Sequence, residues 1–152
     1  MPSRPRWVPR RSSRRSAVTL HGPATLPDIP LLADPDRLRQ VLGCLLDNAL
    51  RYSHSGGEVS VRVNDAHPRQ VEIEIADRGI GVDVDNLHLV FDRGWRSRDA
   101  RVHRPDGLGL GLAIAGQLTQ DHGGELEIRA RQDTRGTLVL LRLPKAMHAE
   151  DK

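Results

Sequence analysis

Asp106-Gly-Leu-Gly-Leu-Gly-Leu-Ala-Ile-Ala115 is the stretch around which the rest of the chain can be read. Gly107, Gly109 and Gly111 alternate with Leu108 and Leu110, and a helix-like run follows. Without a Cβ, glycine reaches φ > 0 and lets a ligand approach the main chain. Leu110, Leu112, Ala113, Ile114 and Leu118 have roughly the spacing of a buried helix face. A glycine-rich loop that feeds a helix N-terminus offers N–H groups and the positive end of the helix dipole, which suits phosphate. The same letters also describe a plain loop before a core helix, so the neighbouring segments decide between the two.

Upstream, residues 92–106 hold five arginines (Arg93, Arg96, Arg98, Arg101, Arg104) and little that is apolar except Trp95 and Val102. That composition predicts a long mobile segment of the kind that closes over a ligand. The clearest helix lies further back. Asp34 is the expected N-cap, with Pro35 at the first helical position. Leu38, Val41, Leu42, Leu45, Leu46, Ala49 and Leu50 form one apolar stripe, and the helix is expected to end near Tyr52. Glu58–Val63 and Val71–Ala76 alternate with period two and predict a hairpin with one apolar face toward that helix. Asp85–Phe91 is a candidate short helix. Glu125–Ala130 and Thr137–Leu143 read as two more strands joined by a polar turn ending at Gly136. Ala17–Leu20 reads as a first strand, and Leu31–Ala33 as a brief pairing segment.

At 152 residues the chain is long enough for one domain with a real core. Aromatics are only 3%, so that core is aliphatic. No apolar run of membrane-spanning length occurs, and the Arg-rich start lacks the apolar stretch of a secretory signal. The single cysteine, Cys44, lies in an apolar helical pattern and reads as a reduced thiol in a cytoplasmic protein. The seven histidines show no zinc-site spacing. Residues 1–30 carry six arginines against one acid, Asp28, whereas the whole chain is only +3. The basic character therefore belongs to an arm, residues 1–16, expected to be disordered. The domain proper is expected over 17–145, with a frayed tail over 146–152. A basic arm can meet nucleic acid or anionic lipid, but the near-neutral domain makes nucleic acid an unpromising partner.

Four elements stand in order: Asp47-Asn-Ala-Leu-Arg-Tyr52, Asp77-x-Gly79-x-Gly81, Phe91-Asp-Arg-Gly-Trp-Arg96 and Gly107-x-Gly109-x-Gly111. Together, over about residues 31–143, they closely resemble the N box, first glycine box, F box and second glycine box of the catalytic, ATP-binding domain of bacterial sensor histidine kinases. That family shares its nucleotide fold with DNA gyrase B, the heat-shock chaperone ATPases and the mismatch-repair ATPases. The resemblance implies an α+β fold of the Bergerat type: a two-layer α/β sandwich, its mixed sheet of about five strands carrying about three helices on one face.

The resemblance also implies roles. Asn48 would hold Mg²⁺, for which a hard, neutral amide oxygen is suited. Asp47 would orient the acceptor or take its proton, against a plainer role on the helix face. Arg51, one turn from Asp47, can pair with it or reach a phosphate. Tyr52 would stack on adenine. Asp77 would accept the exocyclic amine of adenine, with Gly79 and Gly81 turning the chain beneath the base. Phe91 can serve the core or the base of the lid, and Arg93 and Arg96 can meet phosphates or a partner. Gly107, Gly109 and Gly111, with Leu108 and Leu110 between them, would cradle the triphosphate. The pattern lacks the Gly-Lys-Ser/Thr of a Walker loop and the preceding strand of a dinucleotide fingerprint.

The sequence departs from the family's pattern in three ways. Cys44 stands where many members have a further Asn, and Asp47 where many have Glu. None of His21, His54, His67, His88, His103, His122 or His148 has the setting of a phosphoacceptor. The expectation is thus an ATP-dependent histidine kinase domain that works in trans or as a fragment. It would phosphorylate a histidine on a dimerisation domain or separate protein that then feeds a response regulator. It is expected in the cytoplasm, reaching the inner face of a membrane only through a partner or further segment. Two alternatives remain: a serine kinase of the same fold acting on a small regulator, and a non-catalytic nucleotide-sensing module.

Overall fold

The computed structural model describes residues 17–21, 28–53, 58–96 and 110–146. The expected arm, residues 22–27 and 54–57, most of the Arg-rich lid, Gly107 to Gly109 and residues 147–152 lie outside them. Ala146, assigned to the tail by its sequence, donates its N–H to the Pro30 carbonyl at 2.8 Å.

Helix α1 runs over Pro35–Tyr52. Its start is fixed as the sequence predicts: Asp34 Oδ1 accepts the N–H groups of Asp36 (2.9 Å) and Arg37 (3.4 Å), and Pro35 opens the first turn. Val41, Leu45 and Ala49 are buried one above another, which is the i, i+4, i+8 face of a helix laid on a sheet. Leu45 is 1% exposed, so trimming it to alanine would cost about 2–5 kcal/mol. The helix stops at Ser53, whose hydroxyl donates to the Ala49 carbonyl at 2.7 Å.

Five strands form one mixed sheet: β1 (Ala17–His21), β2 (Glu58–Asn64), β3 (Gln70–Ala76), β4 (Glu125–Ala130) and β5 (Thr137–Pro144), in the order β1-β2-β3-β5-β4. β1 and β2 are parallel, and α1 supplies the crossover that parallel neighbours require. The remaining pairs are antiparallel, and β2–β3 and β4–β5 are the expected hairpins. Leu31 forms an isolated bridge with Lys145, the brief pairing foreseen for that segment.

Alternation decides the two faces. Val59, Val61, Val71, Ile75, Ile128, Val139, Leu141 and Leu143 enter one core with Val41, Leu45 and Ala49 of α1 and with Ala115 of the second helix, α2 (Gly111–Asp121). The other face is charged. There Arg142 bonds Glu72 at 2.9 Å and Glu127 at 3.0 Å across three strands. Leu140 shares that face and is nonetheless buried, because β5 is central and paired on both sides.

The sequence called for about three helices, and the structure has two α-helices with a 3-10 helix between them. That element spans Val84–Leu89 and not Asp85–Phe91. The turns around it are closed by i→i+3 bonds, Asn86 N–H to Asp83 O (2.9 Å) and Asp92 N–H to Leu89 O (3.0 Å). Six residues are too few to recover the cost of nucleating an α-helix, so the segment tightens instead. Phe91 turns toward α2 and lies against Gly116, where a Cβ would come within 3.3 Å of its ring.

Candidate functional site

Between α1, the loop after β3 and the start of α2 lies a cavity of about 290 Å³. One flank of α1 forms its wall: Cys44, Asp47, Asn48, Arg51 and Tyr52 recur at three- and four-residue spacing beside the buried stripe and all line it. Asp47 and Arg51 are exposed, and Asn48 and Tyr52 are half-buried. Burial, and then the negative charge of Asp47, push the Cys44 thiol up from its ordinary pKa, so it stays protonated and unreactive.

The opposite wall begins where β3 ends. Asp77 is only 4% exposed and lines the cavity. Its Oδ1 accepts two backbone N–H groups, from Gly79 at 3.0 Å and Thr137 at 3.1 Å, which fixes the rotation of the carboxylate. A buried carboxylate needs such donors. Gly81 takes φ +71° and turns the chain along the cavity. Gly79 has a different reason to be glycine. It does not line the cavity; a Cβ there would run into the carbonyl of Tyr52, because the loop docks on the end of α1. Ile80 N–H donates to that same carbonyl at 3.1 Å, and Ser53 bridges to Gly79.

Arg96 is 8% exposed and lines the cavity beside Trp95. Its Nη2 donates to the Tyr52 hydroxyl at 3.1 Å, and its guanidinium carbon lies 6.0 Å from the centre of the Tyr52 ring, the outer reach of a cation–π contact. Arg93 is exposed and does not line the cavity. Leu110 and Gly111 reach it at the start of α2. Gly107, Leu108 and Gly109 lie outside the described residues.

The sequence reading did not select Ile80, Val82, Val90, Trp95, Leu112, Ile128 or Thr137, all of which line the cavity. Its single clue was Thr137, which follows the glycine that ends a hairpin turn. Among the described residues, no three His, Cys, Asp or Glu side chains are grouped to hold a metal. A divalent cation here would therefore draw most of its ligands from phosphate and water, and Asn48, half-buried in the cavity wall, has the neutral oxygen to join them.

The family described as histidine kinase-, DNA gyrase B-, and HSP90-like ATPase matches residues 33–147, most of the chain. The protein belongs to this family. ATP is the ligand of this domain, and the fold around it is the family's. Sensor histidine kinase WalK of Bacillus subtilis is 38% identical over 130 residues, which is 83% of this chain and 21% of WalK. Sensor protein SrrB of Staphylococcus aureus is 35% identical over 112 residues, 74% of this chain and 19% of SrrB. The chain thus spans about a fifth of the length of these sensor proteins. Among solved structures, the mycobacterial sensor histidine kinase MprB superposes with a TM-score of 0.72 at 33% identity, covering 88% of this chain and 84% of that one. Full-length ShkA in complex with AMPPNP superposes with a TM-score of 0.67 at 29% identity, over 90% of this chain and 27% of ShkA. No helix of this ATPase domain, among the described residues, is long and apolar enough to cross a membrane.

Proposed function

We propose that this domain binds ATP with Mg²⁺ in the cavity and donates the γ-phosphate to a histidine of a separate or further phosphoacceptor domain, which hands it to a response regulator. The observation that carries the reading is the shared cavity: the pinned carboxylate of Asp77 and the amide of Asn48 line one space, with the start of α2 at its rim. Asp77 accepts the exocyclic amine of adenine, and Tyr52, braced by Arg96, flanks the base. Leu110 and Gly111, with Gly107, Leu108 and Gly109 before them, face the phosphates. The N-cap position of α2 makes no side-chain capping bond, and its first turn holds no acid, which leaves that terminus suited to an anion. The cation, when bound, lowers the charge repulsion of the triphosphate.

In the transfer an imidazole nitrogen of the acceptor bonds to the γ-phosphorus while the bond from phosphorus to the β–γ bridging oxygen breaks, and ADP leaves. Asp47, exposed at the rim, orients that imidazole or takes the proton it sheds. Arg51 and Arg96, and Arg93 if the lid brings it inward, meet the charge on the phosphates. The AMPPNP named with ShkA and the sensor kinases among the relatives support this reading. We propose the cytoplasm as its place of action.

Titration calorimetry with ATP and Mg²⁺ tests it. Asp77→Asn turns an acceptor toward a donor and is expected to weaken ATP at least ~100-fold. Asn48→Ala is expected to abolish transfer from radiolabelled ATP to histidine-bearing hairpin proteins. Unchanged affinity and unchanged transfer in both variants would sink the proposal. Acid treatment of the product identifies the acceptor, since phosphohistidine is acid-labile and a stable label would point to the serine kinase.

A further inference from the structure

Asp77 is held from outside its own loop. Its N–H donates to the Thr137 carbonyl at 3.0 Å, and its Oδ1 accepts from Thr137 N–H. Its carbonyl accepts from Arg131 Nη1 at 3.1 Å. Three residues on, the carbonyl of Ile80 accepts from Arg135 Nε at 2.7 Å. Arg131 and Arg135 belong to the β4–β5 connection and Thr137 opens β5, all more than fifty residues away in the chain. Two glycines bring the segments together: a Cβ on Gly136, which has φ +147°, would strike the Asp77 carbonyl, and one on Gly81 would lie 3.4 Å from the Gly136 carbonyl. Arg131 is itself held, its Nε and Nη2 bonding both carboxylate oxygens of Asp133 at 3.1 and 2.8 Å.

We propose that Arg131 and Arg135 are positioning residues for purine choice, clasping the backbone of the Asp77–Gly81 loop so that the Asp77 carboxylate meets an exocyclic amine and rejects a carbonyl. The proposal rests on the reading of Asp77 as the adenine-binding group. A carboxylate discriminates adenine from guanine only if it cannot swing away from the mismatched carbonyl oxygen of guanine. Its own side-chain bonds fix rotation, but the position of the whole residue depends on its main chain. The only side chains that bond the main-chain carbonyls of this loop, among the described hydrogen bonds, are those two guanidiniums. Arg131 is the stiffer arm, because Asp133 holds it in a two-point grip. That grip also draws the Asp133 carboxyl below its usual range, so the pair is charged at neutral pH.

A plain structural role for the arginines predicts something different, namely equal loss for every nucleotide. The experiment therefore measures Kd for ATP and for GTP on the full chain, together with the melting temperature. The double variant Arg131→Ala/Arg135→Ala is expected to weaken ATP roughly tenfold and to leave GTP within about twofold, so the preference for adenine shrinks. Arg135→Lys, which keeps one donor, is expected to restore part of the preference. Asp133→Ala, which frees Arg131 without touching the loop, is expected to shrink it about threefold. Asp77→Asn is run alongside. If the double variant keeps the wild-type ATP-to-GTP ratio while Asp77→Asn loses it, the clasp is wrong and the adenine assignment stands. Equal weakening of both nucleotides with a lowered melting temperature also overturns the clasp. If Asp77→Asn itself leaves the ratio unchanged, the assignment of Asp77 fails and the clasp falls with it.

Discussion

The two α-helices begin in opposite ways. At α1, Asp34 accepts two N–H groups, Pro35 has no N–H to satisfy, and Asp36 places a negative charge in the first turn. At α2, Leu110 occupies the cap position, makes no side-chain capping bond, and is followed by no acid in the first turn. Capping of the first kind contributes about 1 kcal/mol, and α2 forgoes it. The difference follows position: the start of α1 is remote from the cavity, whereas Leu110 and Gly111 line it. A helix whose N–H groups are already satisfied has nothing left for a phosphate. One helix start in this domain is closed by its own side-chain cap, and the other, at the cavity, carries none.

Giving α2 the cap of α1 is the strongest way to break the contrast. Leu110→Asp removes a side chain that is 37% exposed and sets a carboxylate where the triphosphate should lie. The expected outcome is a loss of ATP affinity of at least ~30-fold by calorimetry, with a melting temperature unchanged or raised. ATP binding as tight as wild type would show that this terminus is not the phosphate site. The reverse change is smaller and of the other kind. Asp34→Ala should cost about 1 kcal/mol in urea unfolding and leave the ATP Kd unaltered.

The smallest effect comes from the charged face of the sheet, which belongs to neither helix start and serves as the reference. Hydrogen bonds from Arg129 and then Arg142 hold the Glu127 carboxyl below its ordinary value of 4.5. A depressed carboxyl contributes stability that is complete above its unfolded pKa and is lost as the pH falls through the folded one. Glu127→Gln should therefore unfold like wild type in strong acid and less than about 1 kcal/mol more easily at pH 7, with no change in nucleotide affinity at neutral pH. A nucleotide effect would mean that the sheet's outer face and the cavity are coupled.

What was legible in the sequence was local. Asp34-Pro35 announced a helix start and the 3.6-residue stripe from Leu38 to Leu50 its buried face. Period-two alternation announced both hairpins, because each signal lies within one element. Asp47, Asn48, Arg51, Tyr52, Asp77, Gly81, Arg96, Leu110 and Gly111 were selected from motif order and do converge on one cavity. The apolar lining was not legible: Val82, Val90 and Ile128 are the same residue types that fill the core, and only the third dimension tells a cavity wall from a packed interior. Gly79 was read as a turn beneath a base, whereas its need is the close approach of Tyr52. Arg131 and Arg135 could not be found at all, since their partners are main-chain carbonyls, which carry no letter.

The carbonyl of Tyr52 has a consequence for how such a domain can be governed. It is the last carbonyl of an 18-residue rod about 27 Å long, and it is stitched to Ile80 of the cavity-lining loop after β3. At the far end of that rod the Asp34 N–H donates to His122 Nε2 at 3.2 Å, just past the end of α2. A force applied to the outer end of the rod would thus reach the cavity wall at Ile80 without anything entering the pocket.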